Sequence, residues 1–217
     1  MDRDSGERGA GNGRLFLAAS RTTAMKQDRP EVPLITVPWH VSLAKTEESS
    51  RYREPISASR WQLICQKLHG QVQQLDQHQV RWLAGQIYQG IRWLDQPMNA
   101  YCQATCSSCA DPCCTARGIF FNQADLLYLA ALENVSLPIT QTRTEAHAMC
   151  RYLGTHGCLL ARTQRPYICV WFLCEPQMEL LNANPGSFQR QLINVLKNIR
   201  ICRLKLESLF EECSPWT

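Results

Sequence analysis

Cys102-Gln-Ala-Thr-Cys106-Ser-Ser-Cys109-Ala-Asp-Pro-Cys113-Cys114 places five sulfurs in thirteen residues. A second group follows as Cys150-x7-Cys158-x10-Cys169-x4-Cys174. Together they hold nine of the chain's twelve cysteines, and Cys65, Cys202 and Cys213 stand apart. A Cys-x2-Cys pair such as Cys106 and Cys109 lets two sulfurs converge on one ion from a tight turn, so the spacing recurs in zinc and iron–sulfur sites. Alone that pair says little. Among nine cysteines within 73 residues, with turn-like text between them, it predicts a metal-organised segment.

Geometry and chemistry narrow the expectation. Adjacent residues of extended chain point to opposite sides, so Cys113 and Cys114 are not expected to face one mononuclear ion. Eight or nine sulfurs exceed the four that a tetrahedral zinc takes, which favours a multinuclear cluster or two sites over a single zinc. Sulfur-only ligation admits zinc and iron–sulfur alike. Four thiolates leave a Zn²⁺ site with a net charge of about −2, which nearby cations or N–H donors must offset. Between Cys102 and Cys174 the charge-bearing candidates are Arg117, Arg143, Arg151, Arg162 and Arg165, with no lysine. Each except Arg165 is equally readable as an ordinary surface arginine. His147 and His156 are open as ligands, although the sulfurs already exceed the need.

Outward from the cysteines, the chain reads as helical. Ser57 opens a helix with Trp61, Ile64, Cys65 and Leu68 at three-to-four spacing, ending near Gly70. Asp76 caps a second with Val80, Leu83, Ile87, Ile91 and Leu94, which Pro97 is expected to stop. Residues 102–118 read as loop and Ile119–Phe121 as a short strand. Asn122 with Asp125 forms a variant capping box for a helix over 123–134. Another short helix is predicted over 141–150, and an irregular stretch punctuated by Gly154, Gly157, Pro166 and Pro176 over 151–183. Asn184 and Pro185 then start a long helix with Phe188, Leu192, Leu196, Ile199, Cys202, Leu206, Leu209 and Cys213 on one stripe. Its Arg190, Lys197, Arg200, Arg203 and Lys205 read as a solvated face. Cys65 and Cys202, and Cys213 with them, fall on apolar stripes and read as packing residues.

Ahead of these helices, residues 1–24 read as a polar leader and 26–56, with Pro30, Pro33, Pro38 and Pro55, as an extended arm. Met25 is an alternative start. The expected organisation is therefore leader and arm over 1–56, a helical hairpin over 57–100, a cysteine-cluster domain over 101–176 and a C-terminal helix over 177–217. The fold class is mainly α, with an irregular, metal-organised middle and at most short strands.

Composition sets outer bounds. With 217 residues and a hydrophobic fraction of 45%, the chain can form a packed core. Its longest apolar runs fall far short of the roughly 20 residues of a bilayer span, so no membrane is expected. A net charge of +4 is too mild to indicate nucleic-acid binding. Leu15–Ala19 is too short for a signal-peptide core and follows acidic Asp2, Asp4 and Glu7. The expectation is a reducing cytoplasm, where clustered thiols bind metal or do redox work rather than form disulfides.

Several motifs occur in a telling order: Cys106-Ser-Ser-Cys109-Ala-Asp-Pro-Cys113-Cys114, the apolar stretch before Asn122-Gln-Ala-Asp125-Leu-Leu, Cys150-Arg-Tyr-Leu153, Gly157-Cys158, and Arg165-Pro166-Tyr-Ile-Cys169. Over residues 102–175 this resembles the CxxCxxCC cysteine-cluster family, regarded as a zinc- or iron-chelating domain. The resemblance implies Cys106, Cys109, Cys113, Cys114, Cys150, Cys158, Cys169 and Cys174 as ligands and leaves Cys102 outside the pattern. This chain departs from it in one extra residue before Cys113-Cys114, in Ala161 where tyrosine is usual, in an extra residue before Arg165, and in Val170 where arginine is common. Flagellin lysine methylases carry a similar cluster, so a metal-dependent protein-modifying enzyme, or an accessory to one, is the alternative.

No paired carboxylates, nucleophile elbow, metalloprotease helix or nucleotide-binding glycine turn appears in the chain. Asp125 and Glu145 stand alone and read as capping or solvated groups. A thiol-redox role for Cys106 and Cys109 lacks its βαβ setting. The leading expectation is a metal-binding protein, structural or electron-carrying, with an unidentified protein partner. In that reading the metal folds the middle, because residues 102–121 and 150–176 carry few core-forming runs.

Overall fold

A computed structural model describes residues 56–110, 113–115, 119–143, 145, 148–154 and 157–213. The expected leader and arm, apart from Ile56, lie outside these, as do Arg117, His147 and His156. Among the described residues the fold is mainly α: six helices and one two-stranded hairpin. None of the helices is long and apolar enough to cross a membrane.

Helix α1 spans Ala58–Val72, with the Ser57 hydroxyl accepting from the Arg60 N–H at 3.4 Å. It buries Trp61, Cys65, Leu68 and Val72 on one stripe and runs two residues past Gly70. Helix α2 spans Gln77–Thr105, started by Asp76, whose carboxylate accepts from the His78 and Gln79 N–H groups at 3.0 and 3.3 Å. Pro97 does not stop it. The proline has no N–H for the Trp93 carbonyl, a loss of roughly 3 kcal/mol in an ordinary helix interior. Here the apolar stripe continues across it through Leu94, Met98 and Tyr101, all buried, and that packing carries the helix onward. Cys102 therefore lies on a helix rather than in a loop.

Helix α3, Gln123–Ala130, has the expected capping box: the Asp125 N–H donates to Asn122 Oδ1 at 2.9 Å and the Asn122 N–H to Asp125 Oδ2 at 3.0 Å. It stops short of Asn134, which sits at φ 60° in the left-handed region. All eight of its residues are buried. Ile119–Phe121 is not a strand. The Gln141 side chain takes the place of a partner strand, accepting from the Phe121 N–H at 2.7 Å and donating to the Phe121 carbonyl at 2.9 Å. Thr142 Oγ1 adds a bond to the Ile119 carbonyl at 2.6 Å. That engagement replaces the helix expected over 141–150, whose described residues are not helical.

Residues 151–183 are more regular than expected. Strands β1 (Leu153–Gly154) and β2 (Gly157–Cys158) pair antiparallel, Leu153 opposite Cys158. Gly157 has φ 110°, a conformation that favours glycine. A 3₁₀ turn at Arg162–Gln164 leads into α4 (Tyr167–Trp171) and then α5 (Glu175–Asn182).

Helix α6 spans Gly186–Cys213 and packs most extensively on α2, with α3 on its flank and α1 against α3. Its buried residues include Leu192, Val195, Ile199, Cys202, Leu206 and Phe210. Asn184 does not cap it; its side-chain amide donates to Tyr101 Oη at 2.9 Å and the Leu180 carbonyl at 2.7 Å. Cys65 and Cys202 are buried packing thiols as expected, and the side chain of Cys213 lies outside the described ones.

Candidate metal centre

The end of α2 delivers the first sulfurs. Cys102 and Cys106 stand one helical turn apart, the Cys106 N–H bonded to the Cys102 carbonyl, so both side chains project from one face. A 3₁₀ turn, Cys106–Ser108, carries the chain to exposed Cys109. A second, Cys113–Thr115, presents Cys113 and Cys114. The expectation that these two do not face one ion assumed extended backbone, whereas the backbone here is a 3₁₀ turn. In the tight turn the Cys114 thiol instead hydrogen-bonds to the Cys113 sulfur. From the other stretch, Cys150 closes a turn with the Leu153 N–H on its carbonyl at 3.0 Å, Cys158 sits on β2, Cys169 lies within α4 and Cys174 precedes α5.

Electrostatic effects among the sulfurs of the two stretches centre on Cys114. Its thiol is held well above its ordinary range by the proton it gives Cys113, with burial adding to the effect. Cys113 is correspondingly lowered by that bond. Burial raises Cys106, Thr105 partly offsets it, and the neighbouring Cys102 and Cys114 sulfurs raise it further. Burial also raises Cys150, with Cys158 and Cys114 adding to it. Cys169 is pushed up to about 12 by burial first, then by Cys158, Cys114, Cys150 and Asp125. These mutual effects, with Cys174 acting on Cys113, link seven of the eight expected ligands and Cys102 into one group. Cys109 is exposed.

Positive charge and N–H donors face this group. Arg165 donates through Nε to the Leu160 carbonyl at 2.9 Å, and its charge lowers Cys114 against the dominant raising effects. Arg143 is buried and donates to the Cys114 carbonyl at 3.5 Å. Arg162 is 3% exposed and reaches the Cys169 carbonyl at 3.3 Å and the Cys102 sulfur at 3.9 Å. Gln177, 4% exposed, places Nε2 at 3.6 Å from both the Cys102 and Cys106 sulfurs.

A second polar cluster fixes α4. Asp125 Oδ1 accepts from Arg203 Nη1 at 2.8 Å and from the Tyr167 N–H at 3.0 Å. Arg203 also donates to Asn122 Oδ1 at 3.1 Å and lies 4.5 Å over the Tyr167 ring, whose hydroxyl donates to the Leu196 carbonyl at 3.2 Å. Arg203 is thus buried and paired, not part of a solvated face, and Asp125 is an ion-pair partner as well as a cap. The signal was present in the chain: Arg203 follows Ile199 by four and precedes Leu206 by three, squarely on the apolar stripe. Gln177 and Arg162 carry no such pattern, since their partners come from distant elements.

Among the described residues no three of His, Cys, Asp and Glu stand close enough together to grip an ion as they are. The donor chemistry nevertheless fits a thiophilic ion: the eleven cysteines with described side chains are all free thiols, and cations and amide N–H groups are aimed at the cluster. No family model, curated protein or solved structure matches this chain.

Proposed function

We propose that the chain is a metal-binding protein of the CxxCxxCC type, its sulfurs gathering one or more zinc ions or an iron–sulfur cluster for a structural or electron-carrying role. The observation that carries this reading is the gathering of thiols from two separate stretches, spanned by Arg162, which reaches the Cys102 sulfur at 3.9 Å and the Cys169 carbonyl at 3.3 Å. Thiols are weak hydrogen-bonding groups and gain little from such company. A soft cation turns the same arrangement into an attraction, because it draws off the protons and binds the thiolates. Bound there, a zinc would cross-link the segments, and an iron–sulfur cluster would exchange an electron. Cys106, Cys113, Cys114, Cys150, Cys158, Cys169 and Cys174 would hold it, with Cys109 closing from the exposed side. Free thiols in this number suit a reducing compartment such as the cytoplasm. The exposed flank of such a module would meet a protein partner.

Anaerobic purification, metal analysis and an absorption spectrum test the reading. The expected result is bound zinc, or iron with an absorption that reductant bleaches. Cys114→Ser and Cys169→Ser each lower the metal content. Removing the ion raises protease sensitivity in the cysteine stretches while the helical circular dichroism persists. Uptake weakens as pH falls, because thiol protons compete with the ion. A reduced wild-type protein that takes up neither zinc nor iron overturns the reading.

A further inference from the structure

Cys102 lies outside the motif order that named the other ligands, yet its sulfur is approached by two buried donors. Two buried donors from two other elements converge on it. Gln177, on α5, sets Nε2 at 3.6 Å from Cys102 Sγ and at the same distance from Cys106 Sγ. The same amide reaches Thr105 Oγ1 at 3.2 Å, whose own proton goes to the Tyr101 carbonyl at 2.9 Å. One side-chain amide therefore bridges the end of α2 and both sulfurs that project from it.

Arg162 supplies the second observation. Its guanidinium is withdrawn from water, with Nη2 on Asn99 Oδ1 at 2.7 Å and 3.9 Å from Cys102 Sγ, and Nη1 on the Cys169 carbonyl at 3.3 Å. Nε is buried without a hydrogen-bond partner. Asp95 forms an ion pair with it at 3.5 Å, its own side chain 44% exposed. A cation this deeply buried calls for negative charge, and a half-hydrated carboxylate supplies only part of it. A neutral thiol supplies almost none, whereas a metal-bound thiolate is a strong acceptor of charge-assisted hydrogen bonds.

We propose that Cys102 is a further ligand of the thiophilic centre, paired with Cys106 across one turn of α2, and that Gln177 and Arg162 are the donors that hold the charge of the two sulfurs. This rests on the metal-binding reading and extends it. It joins the end of α2 to the Cys169 segment through a single guanidinium, and it gives Arg162 and Gln177 a positioning role that neither a core contact nor a surface contact explains.

The test is an anaerobic titration of the reduced full chain with Co²⁺ alone, followed by Zn²⁺, read by the sulfur-to-cobalt charge-transfer absorption and by bound-metal stoichiometry. Cys102→Ala is expected to lose one thiolate's share of that absorption and at least about tenfold in affinity. Gln177→Leu is expected to lose about 10- to 100-fold in affinity with the thiolate share intact, as for other groups that orient metal ligands. Wild-type affinity and absorption in Cys102→Ala overturn the proposal while leaving the metal-binding reading standing. A wild type that binds no metal ends both. Should Cys102→Ala fail to fold, alkylation of the wild type decides: Cys102 shielded from iodoacetamide by bound metal supports the proposal, and equal labelling with and without metal overturns it.

Discussion

Replacing Arg203 by methionine removes the guanidinium that sits 2.8 Å from Asp125 and leaves a carboxylate only 2% exposed with no countercharge. Breaking one side of a buried ion pair costs about 3–5 kcal/mol, because the remaining charge is stranded out of water. The cation over the Tyr167 ring and the bond to Asn122 Oδ1 go with it. The Asn122 and Tyr167 N–H groups stay on the carboxylate and soften the loss, which places the expected cost near the lower end, about 3 kcal/mol. For a domain whose whole stability is about 5–15 kcal/mol, that is a large fraction. Urea unfolding followed by circular dichroism reads it as a fall in midpoint at unchanged slope. Adding Asp125→Asn neutralises the stranded charge, so the double variant is expected to be more stable than the sum of the two single losses predicts. A loss under about 1 kcal/mol in Arg203→Met, or plain additivity in the double variant, refutes the reasoning.

Two further predictions concern the helical core. Burial raises the Cys65 and Cys202 thiols from 9.0 to about 11 each, so the unfolded chain sheds these protons before the folded one does. Their contribution is complete below about pH 9 and is lost as pH rises towards about 11, at roughly 3 kcal/mol per thiol. The stability gap between wild type and Cys202→Ala in urea should therefore narrow over that range; parallel curves would count against it. At the α2–α6 contact, a Cβ on Gly90 would lie 2.7 Å from Ile199 Cγ1 and 3.0 Å from Cδ1. Gly90→Ala gains about 1 kcal/mol of helix propensity and loses about 1–3 to overpacking, for a net loss near 1 kcal/mol. Ile199→Ala clears that space, so the two changes together should cost less than their sum in thermal unfolding.

The helix starts were legible because each is settled within a few residues: Ser57, Asp76 and Asn122 bond to N–H groups two or three positions onward. The mainly α character followed from the stripes those starts introduce. Pro97 misled because the local rule against an interior proline was outweighed by burial of Met98 and Tyr101 beyond it. Gln141 misled for the opposite reason, since its side chain bonds to the backbone of a segment twenty positions away and nothing local announces that. Arg203 was read by its charge when its position on the stripe was the better guide. At the candidate site, the cysteine-rich stretches were legible from spacing, whereas the turn that brings Cys113 to Cys114, and the donors around Cys102, depend on tertiary contacts.

These contacts change what an ion has to do. The cysteine stretches were expected to need metal in order to fold, as a zinc finger does. Among the described residues, several backbone groups in and beside them are held by side chains other than cysteine. Gln141 clasps Phe121 just before fully buried α3, Asp125 holds the N–H of Tyr167 two residues ahead of Cys169, Arg162 holds the Cys169 carbonyl, and Gln177 holds Thr105 beside Cys106. Such contacts would meet part of the entropy of ordering these segments. Under the proposed reading, an ion bound by these sulfurs would then express more of its binding energy as affinity and less as folding. It would still stabilise the native state by mass action, in proportion to the logarithm of its concentration over its Kd. A metal-free chain that keeps its helices yet unfolds at lower temperature is what this division of labour requires, whereas a metal-free chain without helices would return the organising role to the ion.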